Sequence, residues 1–260
     1  MNLQWSRPIA LLALRGTIGT GVRAEQWVPL LDTLRKRRSV RAVVVEIDSP
    51  GGTVAASDYI YGALARLAAE KPVFAFSGNV CASGGYLVAA AARQLVVQPA
   101  AVVGSIGVIS IRPLAEEFLH RYGLSVGVTK SGELKDAGAF WRKPTERERE
   151  KEQALVDEYF ALFLERIEAG RKIAPARLRE LATGEVYTGR RAVELGLADR
   201  VGTLDDAIEL AAEAAGTTRR TRCYGVQRSL RSRLTRGLAA ELADQVSERL
   251  LAVLASEPRF

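Results

Sequence analysis

The chain has 260 residues, 48% hydrophobic and 26% charged, with a mean hydropathy near zero, a composition that fits a folded globular protein and excludes a disordered or collagen-like chain. Two cysteines, Cys81 and Cys223, are too few for a disulfide scaffold or a metal cluster, and a single histidine, His120, removes most metalloenzymes, so neither a metal nor a cofactor is expected. The formal charge of +7 is local: seven arginines (219, 220, 222, 228, 231, 233, 236) and no acid lie between Arg219 and Arg236, leaving a neutral body with a basic arm, unlike a surface built to hold nucleic acid.

Ile9 to Leu14 is read as a strand rather than a signal-peptide core, because six apolar residues are too few and no cleavage site follows cleanly. Val28, Leu31 and Leu34 recur at helical spacing within Gln26 to Arg37. Val40 to Ile47 is nearly continuous in valine, the pattern of a strand covered on both faces, and it stops in the turn Asp48-Ser49-Pro50-Gly51-Gly52. A helix with Ser57 as N-cap carries Ile60, Leu64 and Leu67 to Glu70, and Pro72 introduces the strand Val73 to Phe76.

Cys81-Ala82-Ser83-Gly84-Gly85 then forms a strand-turn-helix junction, with a small-residue helix from Tyr86 to Ala92. Leu95 to Gln98, Gly104 to Ile111 and Ser125 to Thr129 are expected as strands, and Leu114 to Tyr122 as a helix. Thr145 and Glu148 make a capping box for a long helix reaching Gly170, and shorter helices follow near Ala176, Arg190 and Asp205. Such alternation predicts an α/β domain of mostly parallel strands to about Gly216. No apolar run approaches the ~18 residues needed to span a bilayer.

Ser83 lies on a tight turn ahead of two glycines, where a nucleophile would be lifted clear of the sheet and the Gly84 N–H could hold a developing oxyanion; the plain alternative is an ordinary Ser-Gly-Gly turn. Gly51-Gly52 ends another strand, and ligands of parallel sheets bind at the carboxyl edge, so Gly52 and Gly84 are candidate partners as oxyanion donors; the plain alternative for Gly51-Gly52 is a tight turn. A serine nucleophile needs a base. His120 falls among charges on a helix, which leaves a lysine whose amine is made neutral by burial. Lys130 and Lys135 both follow a strand in a loop, and the residues alone do not choose between them.

Five motifs now stand in order: Asp48-Ser49-Pro50-Gly51-Gly52, Ala82-Ser83-Gly84-Gly85-Tyr86, Gly104-Ser105-Ile106-Gly107-Val108, Lys130-Ser131-Gly132-Glu133-Leu134-Lys135-Asp136, and Val186-Tyr187-Thr188-Gly189 with Gly196-Leu197-Ala198-Asp199. Over residues 8 to 212 the chain resembles the signal peptide peptidases of the SppA type (S49 family), serine peptidases related in fold to the Clp protease and crotonase families. The resemblance implies a layered β-α-β superhelix with mostly parallel strands, with Ser83 as nucleophile, Lys135 as general base, Ser105 orienting the lysine amine, and Gly52 and Gly84 as the oxyanion hole. It also implies a serine endopeptidase acting on hydrophobic peptides such as cleaved signal peptides. The apolar residues near Val54 and Ile106 to Ile109 are expected to line its pockets.

The sequence departs from the family in three ways. The family's N-terminal membrane anchor has no counterpart. The chain holds a single unit, like the short bacterial members, which implies a homo-oligomer in which Ser and Lys meet across a subunit interface. Cys81, two residues before Ser83, reads as a small buried side chain.

Residues 1–216 are thus expected to form the peptidase domain and 217–260 a basic, amphipathic helical extension, with Leu230, Leu234, Leu238, Leu242 and Val246 at four-residue intervals. That arm suits an anionic membrane surface or a neighbouring subunit; nucleic acid is disfavoured because Tyr224 is the one aromatic residue among the arginines. The expected location is cytoplasmic, with the arm as a peripheral membrane contact. Two rivals remain: a crotonase-type acyl-CoA hydratase or isomerase, which needs no nucleophile, and a non-catalytic membrane-associated scaffold.

Overall fold

The computed structural model describes residues 8–226. The chain begins β1 (Ile9–Arg15), α1 (Ala24–Lys36), β2 (Val43–Asp48), α2 (Val54–Ala68), β3 (Val73–Ser77), β4 (Val80–Ala82), α3 (Gly84–Ala90), β5 (Gln94–Val97) and β6 (Val102–Gly104). It continues with α4 (Glu116–Arg121), a 3-10 turn (Glu133–Asp136), α5 (Glu146–Arg171), α6 (Pro175–Leu181), β7 (Val186–Thr188), α7 (Gly189–Glu194), β8 (Arg200–Val201), α8 (Leu204–Ala215) and β9 (Thr221–Tyr224).

Six strands form one sheet in the order β8-β5-β3-β2-β1-β9, every neighbouring pair parallel. The valine-rich β2 sits inside this sheet with Val43, Val44, Val45 and Ile47 buried, as a strand covered on both faces requires. On one face Val44, Phe74, Phe76 and Val96 pack against Ala207, Ile208, Ala211 and Ala212 of α8. Alanines let this helix lie close to the sheet, and truncating Phe74 there would cost about 3–5 kcal/mol. Strand alternation turns Val43, Val45 and Ile47 to the other face. There α1 packs on α2 and α2 on α3, carrying the buried Leu31, Leu34, Ile60, Leu64 and Leu67. The result is the layered α/β architecture expected from the alternation of elements.

A smaller sheet, β4-β6-β7, leans on the carboxyl edge of the first. β4 and β6 are parallel, and β7 runs antiparallel to β6. An isolated bridge from Ser49 to Cys81 joins the loop after β2 to β4. The helix start read from sequence at Thr145 is capped as expected: the Thr145 hydroxyl accepts from Glu148 N–H while the Glu148 carboxylate accepts from Thr145 N–H. Thr203 and Asp206, not singled out in the sequence, repeat the device on α8.

Four expectations are corrected. α2 begins at Val54, so Ser57 lies within its first turn, where its hydroxyl donates to Thr53 O at 2.9 Å instead of capping. β6 stops at Gly104, since Gly104 (φ +118°) and Ser105 (φ +50°) leave the β region and residues 105–111 cannot continue the ladder. Ser125 to Thr129 is no strand: it is exposed and pairs with no neighbour among the described residues. The sheet also runs past Gly216, because β9 pairs with the edge of β1 and the compact unit extends to Tyr224. The Leu230 to Val246 periodicity lies outside the described residues. Among those described, no helix is long and apolar enough to cross a membrane.

Candidate active site

Ser83 occupies the single residue between β4 and α3, with φ +51° and ψ −123°. Among the described residues only Ser83, Ser105 and Lys172 are non-glycines with positive φ, and Lys172 is simply the left-handed end of α5. The other two adjoin each other through the smaller sheet. Ala82 pairs with Gly104, and Ser83 N–H donates to Gly104 O at 2.8 Å. Backbone strain of about 1–3 kcal/mol per residue persists only where the surroundings over-determine it, and such residues cluster at functional sites.

Those surroundings are the glycine loop after β2. A Cβ at Gly51 would come within 2.7 Å of both Gly84 N and the Ser83 Cβ, and one at Gly52 within 1.9 Å of Ile18 O. Gly51 cannot carry a side chain while its loop touches the Ser83 turn, nor Gly52 while it touches Ile18 in the loop after β1. Asp48 Oδ1 accepts from Asn79 Nδ2 at 3.0 Å, tying the loops from below. Ser49, fully buried, donates to Gly16 O at 2.7 Å and accepts from Gly51 N–H at 3.2 Å. The amides of Gly52 and Gly84 donate to no acceptor among the described residues, and both residues share a cavity lining with Ser83.

Beside Ser83 opens a cavity of about 90 Å³, with Gly52 and Gly84 in its lining. Val54, Ser57 and Asp58 of α2 form one wall, Leu87 of α3 and Gly107 to Ile109 a second, and Tyr159, Leu162 and Phe163 of α5 a third. The pocket expectation holds at Val54, Val108 and Ile109, whereas Ile106 is fully buried and outside the lining. Sequence reasoning missed the α5 wall, whose residues lie some eighty positions from Ser83 in sequence with no motif to mark them. A groove of about 500 Å³ continues from this cavity, sharing Val54, Val108, Ile109 and Tyr159 and extending to Leu134, Ala137, Leu155 and Val156.

Lys135 is carried by the 3-10 turn, where its N–H donates to Gly132 O at 3.1 Å and its side chain is exposed, the amine without an ion pair or hydrogen bond among the described residues. It lines neither the cavity nor the groove, although its neighbours Leu134 and Ala137 line the latter. Lys130 is engaged, its Nζ lying 2.6 Å from Asp136 Oδ1 and 2.8 Å from Glu133 O. Arg142 bonds both Asp136 and the buried Glu148. The Arg142 guanidinium, followed by the Lys130 ammonium, holds the Asp136 carboxyl far below the usual carboxylate range. Arg142, with the Thr145 N–H, brings Glu148 down to about 2. This network ties the turn before and after Lys135 to the start of α5 and leaves Lys135 as the free amine. His120 is exposed on α4, outside the Ser83 cavity. Cys81 is fully buried, and burial pushes its thiol up to about 12, so it stays protonated and is no second nucleophile.

Residues 65–218 match the model of peptidase family S49, and residues 11–103 that of Clp protease. A putative protease of Synechocystis sp., slr0021, is 38% identical over 210 residues, covering 81% of this chain and 75% of the relative. Putative protease MJ0651 of Methanocaldococcus jannaschii is 34% identical over 72% of this chain and 60% of its own length. The putative signal peptide peptidase SppA of Enterococcus faecium is 31% identical over 71% of this chain and 54% of its own. The chain thus spans between half and three quarters of the length of these relatives. A match reaching from α2 to the turn after α8, on a scaffold whose glycine loops meet at a strained serine, makes this chain a member of peptidase family S49.

Proposed function

We propose that the chain is a serine endopeptidase with a Ser83/Lys135 dyad, acting on hydrophobic peptides such as cleaved signal peptides. The observation that carries this reading is Ser83 itself, held at φ +51° at the mouth of an apolar cavity between two unengaged amides. The neutral Lys135 amine takes the Ser83 proton as Oγ bonds to the scissile carbonyl carbon. The oxyanion is held by Gly52 and Gly84 N–H, and the ammonium returns the proton to the leaving amine as the C–N bond breaks. Water, with Lys135 again as base, then releases the acyl group. Ser105, adjacent to Ser83 through the β4–β6 ladder, orients the amine.

In one chain Lys135 lines no part of the Ser83 cavity, which supports a site completed between subunits of a homo-oligomer. The segment from Ile109 to Phe140 supports the same reading, because it presents Ile109, Ile111, Leu114, Phe118, Leu124 and Phe140 to solvent, a run that a soluble monomer rarely leaves bare. The test is intact-mass analysis after fluorophosphonate treatment of wild type, Ser83→Ala and Lys135→Ala. Wild type alone should gain an adduct, mapped to Ser83; an assembled wild type that gains none overturns the reading and favours a crotonase-like or scaffold role.

A further inference from the structure

The cavity beside Ser83 is apolar on most of its surface, yet among its lining residues one, Asp58, is charged. Its carboxylate is partly exposed, and beside Val54, Leu87, Leu162 and Phe163 it is held by a partner. Its partner comes from α5, just outside the cavity's lining: Arg166 Nε donates to Asp58 Oδ1 at 3.0 Å. Arg166 lies one helical turn beyond Leu162 and Phe163 on α5, and Tyr61, one turn beyond Ser57 and Asp58 on α2, holds it from the other side. The Tyr61 hydroxyl donates to Arg166 O at 2.9 Å, and the guanidinium carbon lies 5.6 Å from the centre of the Tyr61 ring. The ion pair therefore joins two of the helices that line the cavity, one turn along α5 from Leu162 and Phe163, and it consumes the one charge among the lining residues.

We infer that the Asp58–Arg166 pair sets the charge selectivity of this cavity. It keeps the cavity neutral, so that an apolar side chain is preferred on the amino side of the scissile bond, and it holds Asp58 as a latent acceptor for a basic one. The inference rests on the peptidase reading above and adds the feature that decides which side chain is cut. Specificity of this kind comes from the charge left unpaired when the wrong group binds.

The experiment uses full-length protein and three peptides that differ only in the residue before the cleaved bond: leucine, lysine or glutamate. Arg166→Met keeps the aliphatic stem over Tyr61 and removes the cation, and loss of a partly exposed pair leaves the fold in place. Wild type should favour leucine. Arg166→Met should raise the lysine-to-leucine ratio of kcat/KM by about tenfold or more, and Arg166→Met with Asp58→Asn should return it to the wild-type value. Asp58→Asn alone, which keeps the cation, should raise the glutamate-to-leucine ratio instead. Ratios unchanged in both single variants, in proteins that still take a fluorophosphonate at Ser83, overturn this inference and spare the peptidase reading. Absence of cleavage and of Ser83 labelling in every protein, wild type included, overturns both.

Discussion

Gly84 is where a single methyl group tests the geometry of the site. A Cβ there would lie 2.2 Å from Ser57 Oγ and 3.0 Å from Ser57 Cβ, with Gly51 Cα next at 3.5 Å. In Gly84→Ala the Ser57 hydroxyl must rotate away, giving up its bond to Thr53 O at a cost of about 1 kcal/mol. The Cβ contact remains too tight, and overpacking of that kind adds about 1–3 kcal/mol, for a total loss of about 2–4 kcal/mol. Ser57→Gly removes both offending atoms but costs about 1 kcal/mol as a helical glycine and about 1 kcal/mol for the lost hydrogen bond. With Ser57→Gly in place, Gly84→Ala meets only an ordinary contact, so the double variant should be about as stable as Ser57→Gly alone, a coupling equal to the whole Gly84→Ala cost of about 2–4 kcal/mol. Urea unfolding of the four proteins measures the cycle. Fluorophosphonate labelling gives a second readout: displacing one oxyanion donor should slow it by ~10²–10³-fold in Gly84→Ala, with recovery in the double variant. Additive stabilities, with no recovery of labelling, would refute the close packing of α2 on the start of α3.

Two further outcomes follow from the charges around the site. The Asp136 and Glu148 carboxyls are depressed in the folded chain, so their contribution is present above the unfolded glutamate value of ~4.3 and is lost as pH falls toward about 2. Thermal unfolding from pH 7 to pH 2 should show a steeper acid loss in wild type than in Glu148→Gln, and parallel curves would contradict the network. Native protein treated with iodoacetamide at mildly alkaline pH should be alkylated at the exposed Cys223 and spared at the buried Cys81 until denaturant is added; peptide mapping that finds Cys81 modified in the folded state would be the contrary result.

Much of this architecture is legible in the chain because local rules and tertiary structure agree. The valines of β2, the capping box at Thr145, and the glycine turns after β2 and β4 each announce themselves within a few residues. The glycine motifs further mark Ser83, Gly52 and Gly84, which the fold then brings together. What sequence hides is of three kinds. Ser57 reads as a cap because a serine before an apolar stripe usually is one, yet the chain gains more by using its hydroxyl inside the first turn and its small volume against Gly84. Ser125 to Thr129 has strand-like residues but no strand to pair with, and a ladder needs a partner. The third wall of the cavity and the Asp58–Arg166 pair join residues about a hundred positions apart, where spacing carries no signal.

In the proposed enzyme, Ser83 of one subunit and Lys135 of another make one active site. Purified Ser83→Ala and Lys135→Ala proteins are each expected to be inactive; they should be mixed in equal amounts under conditions where subunits exchange, exchange being verified by native mass spectrometry, and assayed on a hydrophobic peptide. In randomly mixed assemblies about a quarter of the sites pair an intact Ser83 with an intact Lys135, so peptidase activity should return to roughly that fraction of wild type. Mixed assemblies that form and remain inactive would contradict the claim.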